Sequence, residues 1–344
     1  MSLQIQIDSV SREQWEGYAQ KFYDYNIYQT WPYQQVRAEM DGQSLSRIIV
    51  ADNDNPVLMC QMRIKNIKPL MLKIGYVQWG PLLRSKDNGN YAKEALQILR
   101  QTFIGKHVDV LRLVPNIRND ETNNQIKKLI TESGFERVNH HKPYRTFIMK
   151  TDDSGEQIRS RLHKSFRRDL KTAENSGIGI QKGTGEDFSK ILTDLYLASI
   201  KRKGFKGLNP EEFTKTQVLL SEQEKMNFYA ATENGEPVAI LLASELGDTS
   251  LVLLAAANEK GLSCGASYLV WYQGALSANK AGMKIYDLGG IDPDKNPNVY
   301  RFKSRLGGQE IYHIGTYEAY SNSVKKNLWK VIEKSYRILT GKGN

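Results

Sequence analysis

The sequence has little cysteine and no long apolar run, and both features narrow the possible classes of protein. Cys60 and Cys264 are the only cysteines among 344 residues, too few for a disulfide framework or a cysteine-built zinc site. No apolar run approaches the roughly 20 residues of a membrane-spanning helix. The first eight residues, MSLQIQID, lack the basic start and apolar middle of a signal peptide. We therefore expect a cytoplasmic protein without a transmembrane segment.

Motifs for metal and nucleotide chemistry are also missing. The five histidines show no HExxH or other ligand spacing, and the pair His140-His141 is typical of a surface loop. Neither a P-loop nor a Gly-x-Ser-x-Gly elbow is present. We expect no metal site and no cofactor.

Acidic residues are outnumbered by basic ones. The chain has 48 Lys and Arg against 38 Asp and Glu, a formal net charge of +10, which favours anionic partners such as nucleic acid, nucleotides or an acidic membrane face. A predicted helical segment, 156–176, contains a basic run at 159–171, in which Asp169 is the single acid among six basic residues: Arg159, Arg161, Lys164, Arg167, Arg168 and Lys171. This segment could follow a phosphate backbone; the alternative is a solvated helix on a basic protein.

The predicted elements occur twice in the same order. Each half has a hairpin, a further strand, a helix and a buried strand. These are placed at 45–51, 57–65, 76–81, 90–103 and 108–114, and again at 226–232, 237–245, 250–257, 266–281 and 284–288. The period of about 180 residues indicates two similar α/β domains with mixed sheets, 1–150 and 151–344. A C-terminal helix carries one apolar stripe that we expect to pack: Val324, Leu328, Val331, Ile332, Ser335 and Ile338.

The most informative stretch is 284–293, KIYDLGGIDP, followed by 299–308, VYRFKSRLGG. A strand running into paired glycines exposes backbone N–H groups, and the basic turn after it can meet an anion or a developing oxyanion. The pattern resembles the C-terminal signature of the Fem family (FemABX-type aminoacyltransferases), which reads YDxGGI, then a tyrosine, a basic residue, Phe-Lys and a Gly-rich end. Tyr286-Asp287, Gly289-Gly290 and Phe302-Lys303 match it.

The resemblance extends over almost the whole chain. QTWPYQQVR, which ends at Arg37, is similar to the family's Gln-x-x-x-Trp-x-x-x-Lys stretch, and YVQWGP, which contains Trp79, resembles its YVPxGP. Residues 162–177 resemble its basic helix, and KRKGF, with Arg202, resembles its Arg-Asp-Gly-Phe. One departure is LVLLAAA at 251–257, where members that modify the cell-wall precursor carry Tyr-x-x-Gly-Ala. Recognition of a pentapeptide therefore stays open.

The resemblance implies an α/β fold of two tandem GNAT-like acyltransferase domains, of which the first binds the acceptor. It implies transfer of an aminoacyl group from aminoacyl-tRNA to an amine of a peptidoglycan precursor. That muropeptide would be nucleotide- or lipid-linked, and the protein would make peripheral contact with the inner membrane face. The process would be cell-wall peptide branching, which bears on cell shape.

The resemblance also implies roles for individual residues. Lys303 is predicted to stabilise charge, and its alternative is an exposed helix lysine. Asp287 is predicted to orient or deprotonate the amine, and its alternative is to cap the glycine turn. The predicted substrate-binding residues are Arg37, Arg202, Phe302, Gly289, Gly290, Tyr286 and Trp79. The predicted tRNA or phosphate contacts are Arg161, Lys164, Arg167, Arg168, Arg301 and Arg305.

Two other functions remain open. An acyl-CoA-dependent N-acyltransferase of this fold would carry a Gln/Arg-x-x-Gly-x-Gly/Ala loop before the central helix. Leu262 replaces the basic residue in the second half, and the first-half segment 86–91 ends in tyrosine. Coenzyme A is disfavoured for this reason, although backbone N–H groups alone can hold a diphosphate. The other function is a non-catalytic tRNA- or polyanion-binding protein.

Overall fold

The computed structural model describes residues 3–84, 91–204 and 207–340. The chain forms two compact units. The first contains residues up to Tyr144 and again from Tyr312 onward, and the second is Arg145–Ile311. The predicted division after residue 150 lies close to the first crossing between the units. At the second crossing the chain returns to the first unit. Residues from Tyr312 onward therefore belong to the first unit, whereas the sequence pattern places them in the second domain, 151–344.

The part of the first unit before Arg145 is built around a β-hairpin. Its strands are β1 (Gln4–Ile7), β2 (Ser44–Asp52), β3 (Asn55–Ile67), β4 (Leu72–Gln78), β5 (Val110–Val114) and β6 (Glu136–Val138). Its α-helices are α1 (Arg12–Ala19), α2 (Trp31–Asp41), α3 (Ala92–Phe103) and α4 (Asn124–Glu132). The hairpin of β2 and β3 turns at Asn53, whose φ of 53° suits asparagine. The predicted hairpin is confirmed.

The second unit repeats this plan. Its strands are β7 (Arg145–Lys150), β8 (Gly179–Gly183), β9 (Asn227–Glu233), β10 (Glu236–Leu246), β11 (Thr249–Ala257), β12 (Ile285–Gly290) and β13 (Gln309–Tyr312). Its α-helices are α5 (Gly155–Arg161), α6 (Lys164–Glu174), α7 (Glu186–Lys203), α8 (Glu211–Leu219), α9 (Glu259–Ser263), α10 (Ala266–Lys280) and α11 (Pro297–Ser304). Asn234 and Gly235 join β9 to β10 with φ of 53° and 82°, as expected of a two-residue Asn-Gly turn.

Each unit contains one seven-stranded mixed sheet. The orders are β1-β2-β3-β4-β5-β14-β6, where β14 is Thr316–Tyr320, and β13-β7-β12-β11-β10-β9-β8. The parallel pairs β4–β5 and β11–β12 are each joined by a crossover helix, α3 or α10. Antiparallel β14 lies beside β5, and antiparallel β7 lies beside β12. The predicted repeat of elements is therefore confirmed.

Helices complete an apolar core on each sheet. In the first unit, α3 buries Leu96, Leu99 and Phe103, a stripe at helical spacing. In the second, α10 packs on β9 and β10 and against α6, and this core includes Phe166 and Tyr286. Within the described residues, no helix combines the length and apolar character needed to cross a membrane.

The C-terminal helix α12 (Ser323–Thr340) packs by only part of the predicted stripe. Ile332 of that stripe packs toward the first sheet together with Trp329, and Glu333 is buried. Val324, Val331 and Ile338 are exposed instead, so the predicted packing of these three residues is wrong. The helix face toward the sheet also carries the ion pairs of Glu333 with Arg112 and His140.

Candidate functional site

The two parallel strands of the second unit, β11 and β12, pair over only a short part of their length. β11 and β12 pair over three positions, from Thr249 opposite Ile285 to Leu251 opposite Asp287, although β11 continues to Ala257. In the first unit, β4 and β5 pair at all five positions of β5. The carboxyl end of the β11–β12 pair is therefore open. Such ends are where α/β proteins commonly bind ligands.

The glycine pair lies at this open end, and the Asp287 carboxylate fixes its turn by hydrogen bonding. The Gly289 N–H donates to the Asp287 carboxylate at 2.8 Å, and the Thr146 hydroxyl donates to the same oxygen at 2.5 Å. Gly289 has a φ of 75°, and a Cβ there would lie 2.6 Å from the Val252 carbonyl oxygen. Only glycine fits this position. Asp287 thus caps the glycine turn, which is the alternative considered for it.

Lys303, on α11, is buried beside the same turn. It is 7% exposed, and its ammonium donates to the carbonyl oxygens of Gly289 and Gly290, each at 3.0 Å. Burial lowers the pKa of Lys303 from 10.5 to about 8, while the charge of Asp287 opposes that shift. The alternative of an exposed helix lysine is wrong. An ammonium has three N–H donors, and the backbone uses two of them here.

Aromatic rings surround Phe302 and Lys303. The ring centroid of Phe302 is 5.6 Å from those of Phe166 and Trp271 and 5.4 Å from that of Tyr268. The Lys303 ammonium is 5.4 Å from the Trp271 ring centroid, within reach of a cation–π attraction. These rings keep water away from the ammonium, so its charge acts more strongly on nearby groups than it would in solvent.

Tyr286 supports this site from the core. It is fully buried, and its hydroxyl donates to the Trp271 carbonyl oxygen at 3.4 Å. A Cβ at Gly274 would lie 2.4 Å from that hydroxyl, so the ring packs directly on α10. Burial raises the pKa of Tyr286 well above 10. Its position supports packing rather than the predicted contact with a substrate.

The basic segment forms two helices, α5 and α6, that meet at Leu162 and His163. Neither helix is basic on every side, because both bury apolar residues. Several of its cations are paired locally. Arg159 makes a bidentate pair with Glu174 at 2.6 and 2.8 Å, and Arg161 pairs with Asp153.

The remaining basic residues of the segment differ in exposure. Arg167 donates to the Leu162 carbonyl oxygen at 3.1 Å and so helps to close the junction of the two helices. Lys164 and Arg168 are exposed, and Arg168 pairs with Asp169 at 3.0 Å. Lys164 and Arg168 are therefore better placed than Arg167 to meet a partner.

The second group of predicted phosphate contacts lies beside this junction. The His163 N–H donates to the Arg305 carbonyl oxygen at 2.9 Å, and a Cβ at Gly307 would lie 2.0 Å from the Arg161 carbonyl oxygen. Arg301 is exposed on α11, the helix that carries Lys303. The structure therefore brings the two basic groups together next to the helix of the buried lysine.

In an acyl-CoA enzyme of this fold, the segment before α10 would hold a pyrophosphate. Part of that segment makes hydrogen bonds within itself here. The Gly261 N–H donates to the Asn258 side-chain oxygen at 2.8 Å, and the Cys264 N–H donates to the Lys260 carbonyl oxygen at 3.0 Å. These two N–H groups are used within α9 and its ends, whereas the start of α10, at Gly265 and Ala266, has no side-chain cap. The corresponding segment of the first half, 86–89, lies outside the described residues.

Arg202 lies elsewhere on the second unit. It is exposed near the end of α7 and donates to the Ala257 carbonyl oxygen at 3.0 Å. Ala257 is six residues past Leu251, the last paired residue of β11, or roughly 20 Å along an extended strand. Arg202 is therefore not brought to Lys303 within this unit, and Phe205 of the same motif lies outside the described residues.

Arg37, in the first unit, belongs to a charge cluster that the sequence does not reveal. It pairs with Asp41 at 2.9 Å, and Asp41 also pairs with Arg63 at 2.9 Å. Arg63 is buried and donates to the Gln78 side-chain oxygen at 3.1 Å. Burial lowers the pKa of Arg63. The sequence signal for this cluster is the charged residue Arg63 within the mostly apolar part of β3.

Trp79 lies in an aromatic cluster of the first unit. Its ring centroid is 4.8 Å from that of Tyr28, 4.9 Å from that of Tyr144 and 5.4 Å from that of His313. His313 is buried, and burial together with the charge of Arg118 lowers its pKa to about 3. His313 is therefore neutral at physiological pH. Its place beside Trp79 depends on the return of the chain to this unit, which leaves no local sequence signal.

The chain is similar to known proteins in sequence and in fold. Residues 208–334, which include the glycine pair and Phe302-Lys303, match the model of the FemAB family. The predicted resemblance to the Fem family is confirmed. The match supports an acyltransferase. No curated protein matches the chain by sequence.

Two solved structures are similar over nearly the whole chain. The crystal structure of FemX has a TM-score of 0.81 at 14% identity and covers 95% of this chain and 100% of its own. A conserved protein of unknown function from Bacteroides thetaiotaomicron has a TM-score of 0.61 at 12% identity, covering 92% of this chain and 99% of its own. At these identities the likeness is one of fold. The predicted class, α/β with two tandem GNAT-like domains and mixed sheets, is confirmed.

Proposed function

We propose that this protein transfers an aminoacyl group from aminoacyl-tRNA to an amine of a peptidoglycan precursor. It would thereby take part in cell-wall peptide branching. The proposal rests on the buried ammonium of Lys303, held by the Gly289 and Gly290 carbonyl oxygens at the open end of β11 and β12. A positive charge fixed at such an end suits the oxyanion that forms when an amine attacks an ester. The FemAB family match of this region supports the same reaction class.

The reaction forms an amide bond and breaks the ester between the aminoacyl group and the terminal ribose of the tRNA. A neutral amine attacks the ester carbonyl, and the resulting oxyanion accepts the third N–H of Lys303. Collapse of the tetrahedral intermediate expels the ribose oxygen. That oxygen receives the proton that the amine loses, so the ribose leaves as a hydroxyl.

Asp287 serves this reaction through its neighbours. Its carboxylate is already bonded to the Gly289 N–H and the Thr146 hydroxyl, and it is buried. These bonds fix the turn whose carbonyl oxygens hold Lys303, and its charge favours the ammonium form of that lysine. Asp287 is therefore a positioning residue rather than the base that deprotonates the amine.

The surface chemistry favours tRNA over coenzyme A as the donor. The exposed Lys164 and Arg168 of α6, with Arg301 and Arg305 on and after the helix of Lys303, suit a phosphate backbone. The N–H groups of Gly261 and Cys264 are bonded within α9, and Leu262 stands where an acyl-CoA enzyme would carry a Gln or Arg. A non-catalytic polyanion-binding protein is disfavoured, because a buried charge is costly and has no use at a decayed site.

The first unit is proposed to bind the acceptor. Arg37 and Arg63 both pair with the carboxylate of Asp41, and the Arg63 guanidinium lies 5.3 Å from the ring centroid of Tyr76. Guanidinium groups suit the diphosphate and carboxylates of a muropeptide. Trp79 adds an apolar face. Arg202 of the second unit remains a further candidate for the acceptor.

The donor is tested by offering the purified protein labelled aminoacyl-tRNA or labelled acyl-CoA, each with a cell-wall precursor. Label should pass to the precursor from the tRNA and not from coenzyme A. Lys303→Ala should abolish most of this transfer, while Lys190→Ala, a change at an exposed lysine of the same unit, should leave it unchanged. Transfer from acyl-CoA alone would show that the donor is wrong.

A further inference from the structure

A line of aliphatic side chains runs along the outside of α12. Val324, Val331 and Ile338 are 74%, 63% and 72% exposed, and their spacing of seven places them on one helix face. The last turn adds Leu339, which is 84% exposed. Isolated exposed apolar residues are ordinary, but an aligned group on one helix marks an interaction surface.

Basic side chains border this line. Lys330 and Lys334 are exposed beside it, one turn apart on the helix. The single acid of α12, Glu333, is buried and bonded to Arg112 and His140 on the other side of the helix. The outward face therefore presents aliphatic groups and positive charge and no acid from α12 itself, while Glu136 of β6 pairs with Lys326 at 2.6 Å. This combination is typical of helices that lie in a membrane surface.

We propose that the outer face of α12 docks on an anionic lipid bilayer. The aliphatic line would enter the headgroup boundary, and the lysines would meet lipid phosphates. A second copy of this chain suits the face less well, because Lys330 and Lys334 would repel their counterparts. The intervening positions Asn327 and Lys334 are also polar where a helix pair would need apolar residues.

The proposal bears on the acceptor, and this step rests on the proposed function. A protein held at a bilayer meets a lipid-linked precursor at high local concentration, whereas a nucleotide-linked precursor stays in solution. The lipid-linked muropeptide is therefore the favoured acceptor. Bilayer binding itself requires no substrate, so it can be measured independently of any aminoacyl transfer.

The full-length protein is mixed with vesicles of phosphatidylcholine, with and without phosphatidylglycerol, and the bound fraction is measured by flotation. We expect binding that needs phosphatidylglycerol and weakens as salt rises. Val331→Ser with Ile338→Ser should weaken it at least tenfold, and Lys330→Gln with Lys334→Gln should also weaken it about tenfold or more. The matched control is Val218→Ser, a change at a 69% exposed valine on α8 of the other unit, which should bind as wild type.

Three results would overturn the proposal. One is that wild type fails to bind phosphatidylglycerol vesicles, and another is that V331S/I338S binds them as wild type does. The third is a wild-type dimer in sedimentation that V331S/I338S converts to a monomer, since a second copy would then cover this face. If vesicle binding holds but V331S/I338S lowers transfer equally for lipid-linked and nucleotide-linked precursors, the link from bilayer to acceptor is wrong while the docking surface stands.

Discussion

The ammonium nitrogen of Lys303 lies 3.0 Å from the carbonyl oxygen of Gly289, in a site from which water is largely excluded. The two residues are 14 positions apart in the sequence, at opposite ends of the loop and helix that follow β12. This bond makes the glycine turn and the lysine one structural unit. The charge of Lys303 is consequently fixed before any substrate arrives, which is the condition for strong stabilisation of a transition state.

Lys303→Ala should lower turnover by roughly a hundredfold or more, because a preorganised donor to an oxyanion contributes about 2.7–4 kcal/mol. Lys303→Arg should restore only part of the rate, since a planar guanidinium cannot occupy the same point. Single-turnover rates with aminoacyl-tRNA measure this effect, and melting curves of each variant control for the fold. A near-native rate for Lys303→Ala would falsify the assigned role.

Stability should depend on pH through the same side chain. The pKa of Lys303 is about 8 in the folded protein and 10.5 ordinarily, so the unfolded chain binds more protons between these values and stability rises with pH there. Over this window the free energy of unfolding of wild type should increase relative to Lys303→Met by up to about 3 kcal/mol, at about 1.4 kcal/mol per pH unit. Denaturant titrations of both proteins at the two ends of the window test it. An unchanged difference would mean that Lys303 is not charged and buried as described.

Gly289→Ala should destabilise the protein more than Gly282→Ala. Both glycines have positive φ, 75° and 72°, but a Cβ at Gly282 meets nothing within 4 Å, whereas one at Gly289 would lie 2.6 Å from the Val252 carbonyl oxygen. We expect about 1 kcal/mol for Gly282→Ala from backbone strain alone. Gly289→Ala should cost about 3 kcal/mol or more and should also lower turnover. Equal losses in urea titrations would contradict the close approach of the two strands.

Arg202→Ala should weaken acceptor binding by about an order of magnitude, as a charge-assisted hydrogen bond is worth roughly 1.5–3 kcal/mol. Binding of aminoacyl-tRNA should be unchanged, because Arg202 lies at the end of β11 and away from the basic residues beside α11. Calorimetry with the nucleotide-linked or lipid-linked precursor measures the first quantity and filter binding of tRNA the second. A loss of tRNA affinity with intact acceptor affinity would reverse the assignment.

Local patterns predicted the parts of the fold that local chemistry controls. Asn234-Gly235 makes the turn expected of it, because its left-handed backbone suits few other residues. The glycine pair and Lys303 meet as the motif suggests, because a short loop and helix connect them. The basic segment, by contrast, is two helices. Its periodicity could not reveal the break at Leu162 and His163, whose position is set by contact with the turn after α11.

Contacts between residues that are far apart in the chain could not be predicted from the sequence. His313 reaches Trp79, and Glu333 reaches His140 and His141, only because the chain returns to the first unit. The histidine pair itself shows no ligand spacing, since its partner is 193 residues from His140. Part of the predicted stripe of α12 was wrong for a similar reason. Apolar periodicity identifies a face, but it does not show that the sheet receives the face that carries Trp329, Ile332 and the ion-paired Glu333.

The insertion of β14 between β5 and β6 has a consequence for how the chain matures during synthesis. The second unit, Arg145–Ile311, is continuous and leaves the ribosome whole. The first unit, although most of it precedes the second unit in the chain, must wait for β14, and until then β5 and β6 present unpaired edges. Such edges recruit other strands. The part of the protein made first is therefore the last to be completed, and a chain that ends before Thr316 should aggregate through these edges even though its second unit has all of its residues.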